Sequence, residues 1–405
     1  VITMQTGPQP ADFADVRATN LAVVLRHLRI NAPCSRADIA AATGLNKATV
    51  SSLVADLIER RLVKETGMTE RRIGRPATML VLDGSPYAAI GLEVNADYMT
   101  AVAVDLAGDR LLSWRRAFAG SSSNPGQAAA SIAALAKRAV AKVEKDGRRT
   151  LGLTVGVPGL VDGDGIVRIA PNLRWRDVDL RSAMRKALNE PPYPIEVEND
   201  ANLAVLAEQR YGGFADAANL VYLTGEVGIG AGVICNGHLL RGSRGYAGEF
   251  GHILVDPTGP VCGCGRRGCL EALAGIGAVV SRALPDASAS SPTELEPEVE
   301  EVVRRAKAGD PKVLDVLAET GRHLGYGIAT VANLINPEVV VLGGYFVPLS
   351  PWLIPAAELE LASRSIAPES GGTRIVASHL DLGAAATGGA ARVLDTIDSG
   401  RLPTR

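Results

Sequence analysis

The sequence predicts an α/β protein. A small winged helix-turn-helix head, residues 1–82, precedes a larger body, residues 83–405, of two α/β lobes with a cleft between them. Three observations carry this. Near the amino terminus two helical patterns flank a short glycine-containing turn, and two short strand-like runs follow. From about Tyr87 strands alternate with helices, and a strand–hairpin–strand–helix unit recurs in two halves. Between positions 252 and 269 one histidine and three cysteines cluster among glycines.

The bulk properties agree. At 405 residues and 47% apolar content, the chain can bury two or three cores. No apolar run reaches transmembrane length and no signal peptide is visible, so a cytoplasmic protein without membrane attachment is expected. Net charge is −2, unevenly spread: residues 1–82 carry eleven Lys/Arg against seven Asp/Glu, and the remainder is acidic. A basic head on an acidic body places any nucleic-acid contact on the head.

In the head, residues 1–14 read as a loose tail. Leu21, Val24, Leu25 and Leu28 form one apolar helical face, closed off by Pro33. Ser35 with Asp38 three residues on is a capping pattern for a short second helix, which Gly44 ends. Asn46 caps a third helix with an apolar face of Val50, Leu53, Val54, Leu57 and Ile58. Lys47, Thr49, Ser51, Ser52 and Asp56 point outward, and small hydroxyls with one lysine at a helix start suit a major groove. Strands at 62–66 and 78–82 enclose a wing bearing Arg71, Arg72 and Arg75. Gly74 and Pro76 present Arg75 for a narrow minor groove. The expected DNA contacts are Ser35, Arg36, Asn46, Lys47, Thr49, Ser52, Arg71, Arg72 and Arg75. A three-helix packing module with a solvated basic hairpin is the alternative.

In the body, strands are expected at 88–94, 98–106 and 110–119, then a helix at 128–142 and a buried strand at 151–157. A strand at 195–197 leads through Asn199-Asp200 into a helix reaching Arg210. A hairpin spans 220–224 and 230–235. Residues 281–298 read as a surface excursion, 318–334 as a long helix, and 339–342 as a strand ending at Gly343-Gly344. The lobes are taken as roughly 83–198 with the C-terminal helix, and 199–385.

His252, Cys262, Cys264 and Cys269 supply one imidazole and three thiolates, a full tetrahedral set for zinc. With no open position the ion reads as structural, clamping a loop rather than activating water. A disulfide loop or chance clustering is the competing reading, but Cys-x-Cys is too tight for an easy bridge.

The body resembles the ROK family of sugar kinases and transcriptional repressors. The resemblance rests on Val197-Glu198-Asn199-Asp200-Ala201-Asn202, the glycines from Gly228 to Gly237, Gly248-Glu249-Phe250-Gly251-His252 and the cysteine loop through Glu271. It implies a two-lobed actin-like fold of the ribonuclease-H and sugar-kinase type. The head matches too, since repressor members carry a winged helix-turn-helix. By resemblance Asn199, Asp200, Glu249, His252 and Glu271 bind sugar hydroxyls, and His252 also ligates zinc. In kinases of the family the residue at Asp200 is the general base.

The phosphate loops depart from the kinase pattern. Where kinases carry a Gly-Gly-Thr-Lys turn after the first strand, this chain reads Glu93-Val94-Asn95-Ala96-Asp97-Tyr98. In the second loop Glu226-Val227 replaces glycine and threonine. Added bulk and negative charge oppose a triphosphate. The resemblance therefore implies a sugar-responsive transcriptional regulator, a repressor, acting as a homodimer or tetramer on a palindromic operator and not as an enzyme. Xylose, glucose, N-acetylglucosamine and their phosphates all remain open as effectors. An active sugar kinase with an accessory DNA head, or a regulator controlled by a protein partner, are the alternatives.

Overall fold

Local capping chemistry shapes the head. The computed structural model describes residues 13–70, 77–118, 124–285, 295–366, 372–380 and 382–403. Helix α1 (Phe13–Asn31) begins within the expected tail and buries Leu21, Val24, Leu25 and Leu28. After β1 (Cys34–Ser35), α2 (Arg36–Thr43) opens on the predicted capping box: Ser35 accepts from the Asp38 amide, while Asp38 accepts from the Ser35 amide. Gly44, at φ 73°, ends the helix in the left-handed region that glycine enters without strain. Asn46 caps α3 (Lys47–Glu59) by accepting from the Thr49 amide at 2.8 Å. Strands β2 (Val63–Glu70) and β3 (Ala77–Leu82) complete a sheet of order β1-β3-β2. Arg71, Arg72 and Arg75, the expected wing arginines, lie outside the described residues.

The first lobe comprises β4 (Tyr87–Val94), β5 (Tyr98–Asp105), β6 (Arg110–Ala117), α4 (Pro125–Lys145), β7 (Arg149–Val157), β8 (Leu160–Val161), β9 (Ile166–Ala170), β10 (Trp175–Asp179), α5 (Leu180–Ala187) and β11 (Ile195–Asn199). Its main sheet has the order β11-β7-β4-β5-β6. Strands β4, β5 and β6 run as an antiparallel meander, and β7 and β11 add in parallel. Strand β4 is buried along its whole length because both faces are covered. Ala88, Ile90 and Leu92 face α4, whereas Ala89 turns to the opposite side.

After α6 (Asp200–Tyr211) the pattern repeats. The second lobe holds β12 (Leu220–Gly225), β13 (Ile229–Cys235), β14 (His238–Leu239), α7 (Leu270–Ala274), α8 (Ile276–Ala283), α9 (Leu295–Lys307), α10 (Pro311–Ile335), β15 (Val339–Gly344), α11 (Phe346–Arg364) and β16 (Arg374–Ala377). The sheet order is β14-β13-β12-β15-β16, again an antiparallel hairpin extended by parallel strands. The expected surface excursion at 281–298 needs correction at both ends. Residues 281–283 finish α8, and Leu295 starts α9 with its side chain buried. Helix α11 escaped the sequence reading because Pro351 and Pro355 stand inside it.

Helix α12 (Ala384–Asp398) returns from the second lobe to the first. Ala384 and Ala385 join α6 against the second sheet, in a core with Leu203, Leu220, Tyr222 and Val341. Further along, Val393, Leu394 and Ile397 share one core with Ala89 and Val102 of the first lobe and with α1 and α3 of the head. The head is therefore packed onto the body and not tethered beside it.

Two glycines permit this layer. A Cβ at Gly91 on β4 would run into the Ala386 carbonyl, and one at Gly388 into the Leu203 carbonyl of α6. Both obstacles are backbone, which gives way poorly. Gly91→Ala and Gly388→Ala should each destabilise by about 1–3 kcal/mol or more. Gly163→Ala, with nothing within 4 Å of the added carbon, should stay within about 0.5 kcal/mol of wild type. Urea denaturation of the three variants checks this.

Candidate effector site, metal centre and DNA-binding surface

The cleft site assembles where β11 meets α6. Asn199 caps α6 by accepting from the Asn202 amide at 2.9 Å, and its Nδ2 donates to the Gly159 carbonyl at 3.1 Å. Both contacts fix the direction of the adjacent Asp200. Its Oδ1 accepts from the Ala201 amide at 2.8 Å, and burial raises its pKa to about 6. The Glu249 carboxylate adds to that rise, so the two stand within electrostatic reach. In turn Glu249 lies 3.9 Å from His252 Nε2 and feels Glu271. Glu271 Oε2 accepts from the Ile229 amide at 3.2 Å, an approach open because Gly228 has no side chain. The structure thus brings Asp200, beside Asn199, within electrostatic reach of Glu249, and Glu249 within reach of His252 and Glu271. Three carboxylates and an imidazole, set beside the Asn199 cap, are the equipment for exchanging water on a polyhydroxylated ligand.

One ligand atom from each of His252, Cys262, Cys264 and Cys269 lies within 4.8 Å of every other. Cys262 Sγ is 3.7 Å from His252 Nδ1, and Cys264 Sγ is 3.7 Å from Cys269 Sγ. Two thiolates bound at about 2.3 Å to a tetrahedral ion stand roughly 3.8 Å apart, so the set fits a metal. The sulfurs are too far apart for a disulfide. Cys269 is also the N-cap of α7, and Glu271 sits two residues on, 3.5 Å from Cys262 Sγ. The loop that gathers the metal ligands therefore also aims two of the cleft residues.

Deeper in the cleft the departures from the kinase pattern meet one another. Asn95 Nδ2 donates to Glu226 Oε2 at 3.1 Å, joining the first lobe to the second. Tyr98 is buried and donates to Glu93 Oε1 at 3.0 Å. Arg115 lies over the Tyr98 ring at 4.1 Å and reaches across to Glu296 at 3.1 Å. Part of the bulk added over residues 93–98 is turned away from the cleft, because Tyr98 points inward and serves the Glu93 carboxylate. Burial lifts Glu93 to a pKa of about 8, and burial with the Glu93 and Asp200 charges pushes Glu226 well above the carboxylate range. The remaining glycines have other work. Gly232 is pressed onto the Ala201 carbonyl and lets α6 lie against β13.

Sequence reasoning missed two lobe-spanning pairs. Arg241, after β14, pairs with Glu198, whose other oxygen accepts from Asn202 at 3.2 Å. Arg115 with Glu296 is the second. Neither has a local signature, because the partners are joined only by the fold.

On the head, Lys47, Ser51 and Ser52 are exposed at the start of α3, and Thr49 is half-buried. One expected DNA contact and one expected outward position need correction. Ser35 is buried, and its hydroxyl is held by Asp38 at 2.8 Å, so it is a cap and not a groove contact. Asp56 is not free on the outer face, since Arg17 and Arg60 both bind it. Arg36 is paired with Glu65 at 2.9 Å, a partly exposed pair worth little. Asn46 is exposed, but its Oδ1 is committed to the cap.

Residues 89–396 match the model of the ROK family, and residues 22–72 that of the MarR family. The chain belongs to the ROK family. The ROK assignment spans both lobes, and the MarR match falls on the three helices and β2 of the head. The chain is 31% identical to the xylose repressor of Bacillus subtilis over 385 residues, 95% of this chain and 97% of that protein. A ROK family transcriptional regulator, homologous to the Escherichia coli MLC protein, superposes with a TM-score of 0.80 at 27% identity. That match covers 95% of this chain and 98% of the other. The ROK glucokinase of Streptomyces griseus, solved with glucose and AMPPNP, matches at TM-score 0.64 and 28% identity, covering 76% of this chain and 98% of its own. Its shorter overlap is in keeping with a body that the kinase shares and a head that the regulator adds. The actin-like expectation for the two lobes holds.

The Glu93 carboxylate makes a pH test of the closed cleft. A carboxyl whose folded pKa is raised from 4.5 to about 8 favours the folded state fully below 4.5, and that contribution is lost as pH rises towards 8. Thermal stability should therefore fall between about pH 5 and pH 8. Glu93→Gln, which keeps an acceptor for Tyr98, should flatten that fall by up to ~1.4 kcal/mol per pH unit. Thermal denaturation of both proteins across that range measures it.

Proposed function

We propose that this ROK protein is a sugar-responsive DNA-binding repressor of carbohydrate uptake or catabolism genes, without kinase activity. The observation that carries this is the Asn95–Glu226 hydrogen bond across the cleft, beside an assembled set of sugar-type ligands. A phosphate chain needs open backbone amides and a nearby cation. Here the place is closed by two side chains and lined with Glu93, Asp200 and Glu226. Asn199, Asp200, Glu249, His252 and Glu271 hold the sugar, Asp200 as a ligand rather than a base. The xylose repressor supports a pentose, and the glucokinase complex with glucose a hexose. The protein acts as a homodimer or tetramer on a palindromic operator, in the cytoplasm. Among the described residues no helix is long and apolar enough to cross a membrane.

The ion at His252, Cys262, Cys264 and Cys269 is a structural zinc. Its role is to fix the loop that aims His252 and Glu271. Protein purified without chelator should carry one zinc per chain by plasma mass spectrometry. Cys264→Ser should lose most of that zinc and, with it, the stabilisation by sugar. In wild type that stabilisation is about 2.7 kcal/mol at a hundredfold excess over the dissociation constant. A panel of D-xylose, D-glucose and N-acetylglucosamine, with their phosphates, identifies the effector. ATP-dependent phosphorylation of any of these sugars, lost in Asp200→Asn, would contradict the non-enzyme reading.

On DNA, the exposed Lys47 and Ser52 read base edges in the major groove, Arg71 and Arg72 bind phosphates, and Arg75 enters the minor groove. A duplex enriched by the protein from a randomised pool serves as operator. Lys47→Ala or Ser52→Ala should cost about 1–3 kcal/mol of discrimination at particular base pairs. Arg71→Ala or Arg72→Ala should weaken all sequences alike and lower the salt dependence. Anisotropy titrations at two salt concentrations separate the two effects.

A further inference from the structure

Helices α6 and α12 lie side by side and in the same direction. At their starts, Asp200, Ala201, Ala384 and Ala385 line one small cavity. In the middle, Gly388 rests on the Leu203 carbonyl. At their ends, Arg210 of α6 reaches Asp395 of α12 at 2.7 Å and Asp398 at 3.2 Å. Ten residues of helix separate Asp200 from Arg210, about 15 Å. One end of the pair is thus the effector site, and the other is a cluster of charges.

That cluster continues into the head. Asp398 also accepts from Arg29 near the end of α1. Arg29, Asp398 and Arg210 are only 18%, 16% and 14% exposed, so water does not replace a lost partner cheaply. A second tie lies alongside. Arg60, which follows α3, donates to the Pro403 carbonyl beyond α12 at 3.0 Å, and the Tyr87 hydroxyl of β4 donates to the Arg60 carbonyl at 2.9 Å. Arg60 and Arg17 both hold Asp56 on α3 itself. The end of α12 and the tail beyond it are therefore where the body takes hold of α1 and α3, the helices that set the groove-facing surface.

We propose that the Arg29–Asp398–Arg210–Asp395 clasp is the joint through which sugar binding at the starts of α6 and α12 is transmitted to the DNA-binding head. This rests on the sugar-responsive reading above. A shift of α6 against α12 at the effector end moves Arg210 relative to Asp395 and Asp398. Asp398 is shared between Arg210 and Arg29, so a change in one pairing changes the other. Close-packed helices ending in a shared carboxylate have discrete arrangements rather than a continuum, as a two-state coupling element requires.

The experiment measures linkage, not stability. The duplex enriched from a randomised pool is titrated with full-length protein, without and with saturating sugar. The sugar is whichever of D-xylose, D-glucose and N-acetylglucosamine stabilises the wild type most. The ratio of the two DNA dissociation constants is the readout, and wild type should give about 5- to 150-fold. Arg29→Met keeps the apolar stem and removes the charge; Asp398→Asn removes the shared acceptor. Each should bring the ratio to within about twofold of unity, while sugar affinity and sugar-free DNA affinity stay within about threefold of wild type. Arg29→Lys, which restores the charge, should recover at least part of the ratio. Should either variant fold poorly, Arg210→Gln tests the same joint from the α6 side. A wild-type ratio in folded Arg29→Met and Asp398→Asn overturns the clasp and leaves the sugar-responsive reading standing. No ratio in wild type, with every sugar, overturns both.

Discussion

Backbone-to-backbone contact between α6 and α12 is the constraint on which the rest depends. Gly388 touches α6 at Leu203, and Gly91 lets β4 touch α12 at Ala386. Side chains at these positions would hold the layers apart. With them absent, two helices lock the first sheet, the second sheet and the head into one packed body. The second sheet meets α6 through Gly232 in the same way, against the Ala201 carbonyl. A core this close-packed transmits displacement instead of absorbing it. The cleft residues sit at its one end and the head at its other, so the layer that holds the fold together also connects the two functional surfaces.

The cleft between the lobes is held shut by side chains that satisfy one another. A kinase cleft of this family needs an open floor for phosphates. Here Asn95 and Glu226 bond to each other across the cleft, with Arg115 spanning the lobes beside them. Each change alone would leave a buried polar group unpaired, at a cost of about 1–3 kcal/mol. Together they satisfy one another across the gap. Burial lifts Glu93 to a pKa of about 8 and pushes Glu226 upward too, so both favour the neutral form that relieves repulsion among the three carboxylates.

Much of this was legible in the sequence, for identifiable reasons. The capping box at Ser35 and Asp38, the Asn46 cap and the apolar runs of β4 and β5 are local, and local chemistry decided them. The metal set was legible because four ligands fall within eighteen residues. The cleft residues were named from a family resemblance, and the fold brings them within reach of one another. Other features were hidden. Helix α11 is masked by its own prolines, and β8 to β10 are too short to show a period. Ser35 illustrates the opposite failure: a hydroxyl near a helix start looked like a DNA contact, and its own cap consumed it. Pairings such as Arg241 with Glu198, Arg115 with Glu296 and Arg29 with Asp398 join positions far apart in the chain. No periodicity announces them, because the fold creates them.

The charge clasp at the head is better suited to switching than to holding. A half-desolvated ion cluster contributes little net stability, since the cost of removing charges from water offsets most of their attraction. The shared core of α1, α3 and α12 already supplies the holding, through Leu21, Leu25, Leu57, Val393 and Ile397. Geometry makes the charges different. An apolar contact weakens gradually with displacement and has no preferred partner. A carboxylate shared by two guanidinium groups prefers defined arrangements and penalises those between them. An effector that binds one arrangement more tightly by 1–3 kcal/mol shifts the balance by 5- to 150-fold. Such a bias is small beside the total stability of the packed layer, so the head can be repositioned without the fold being put at risk. The separation of tasks follows from the chemistry: apolar packing keeps the head attached, and the clasp decides its angle.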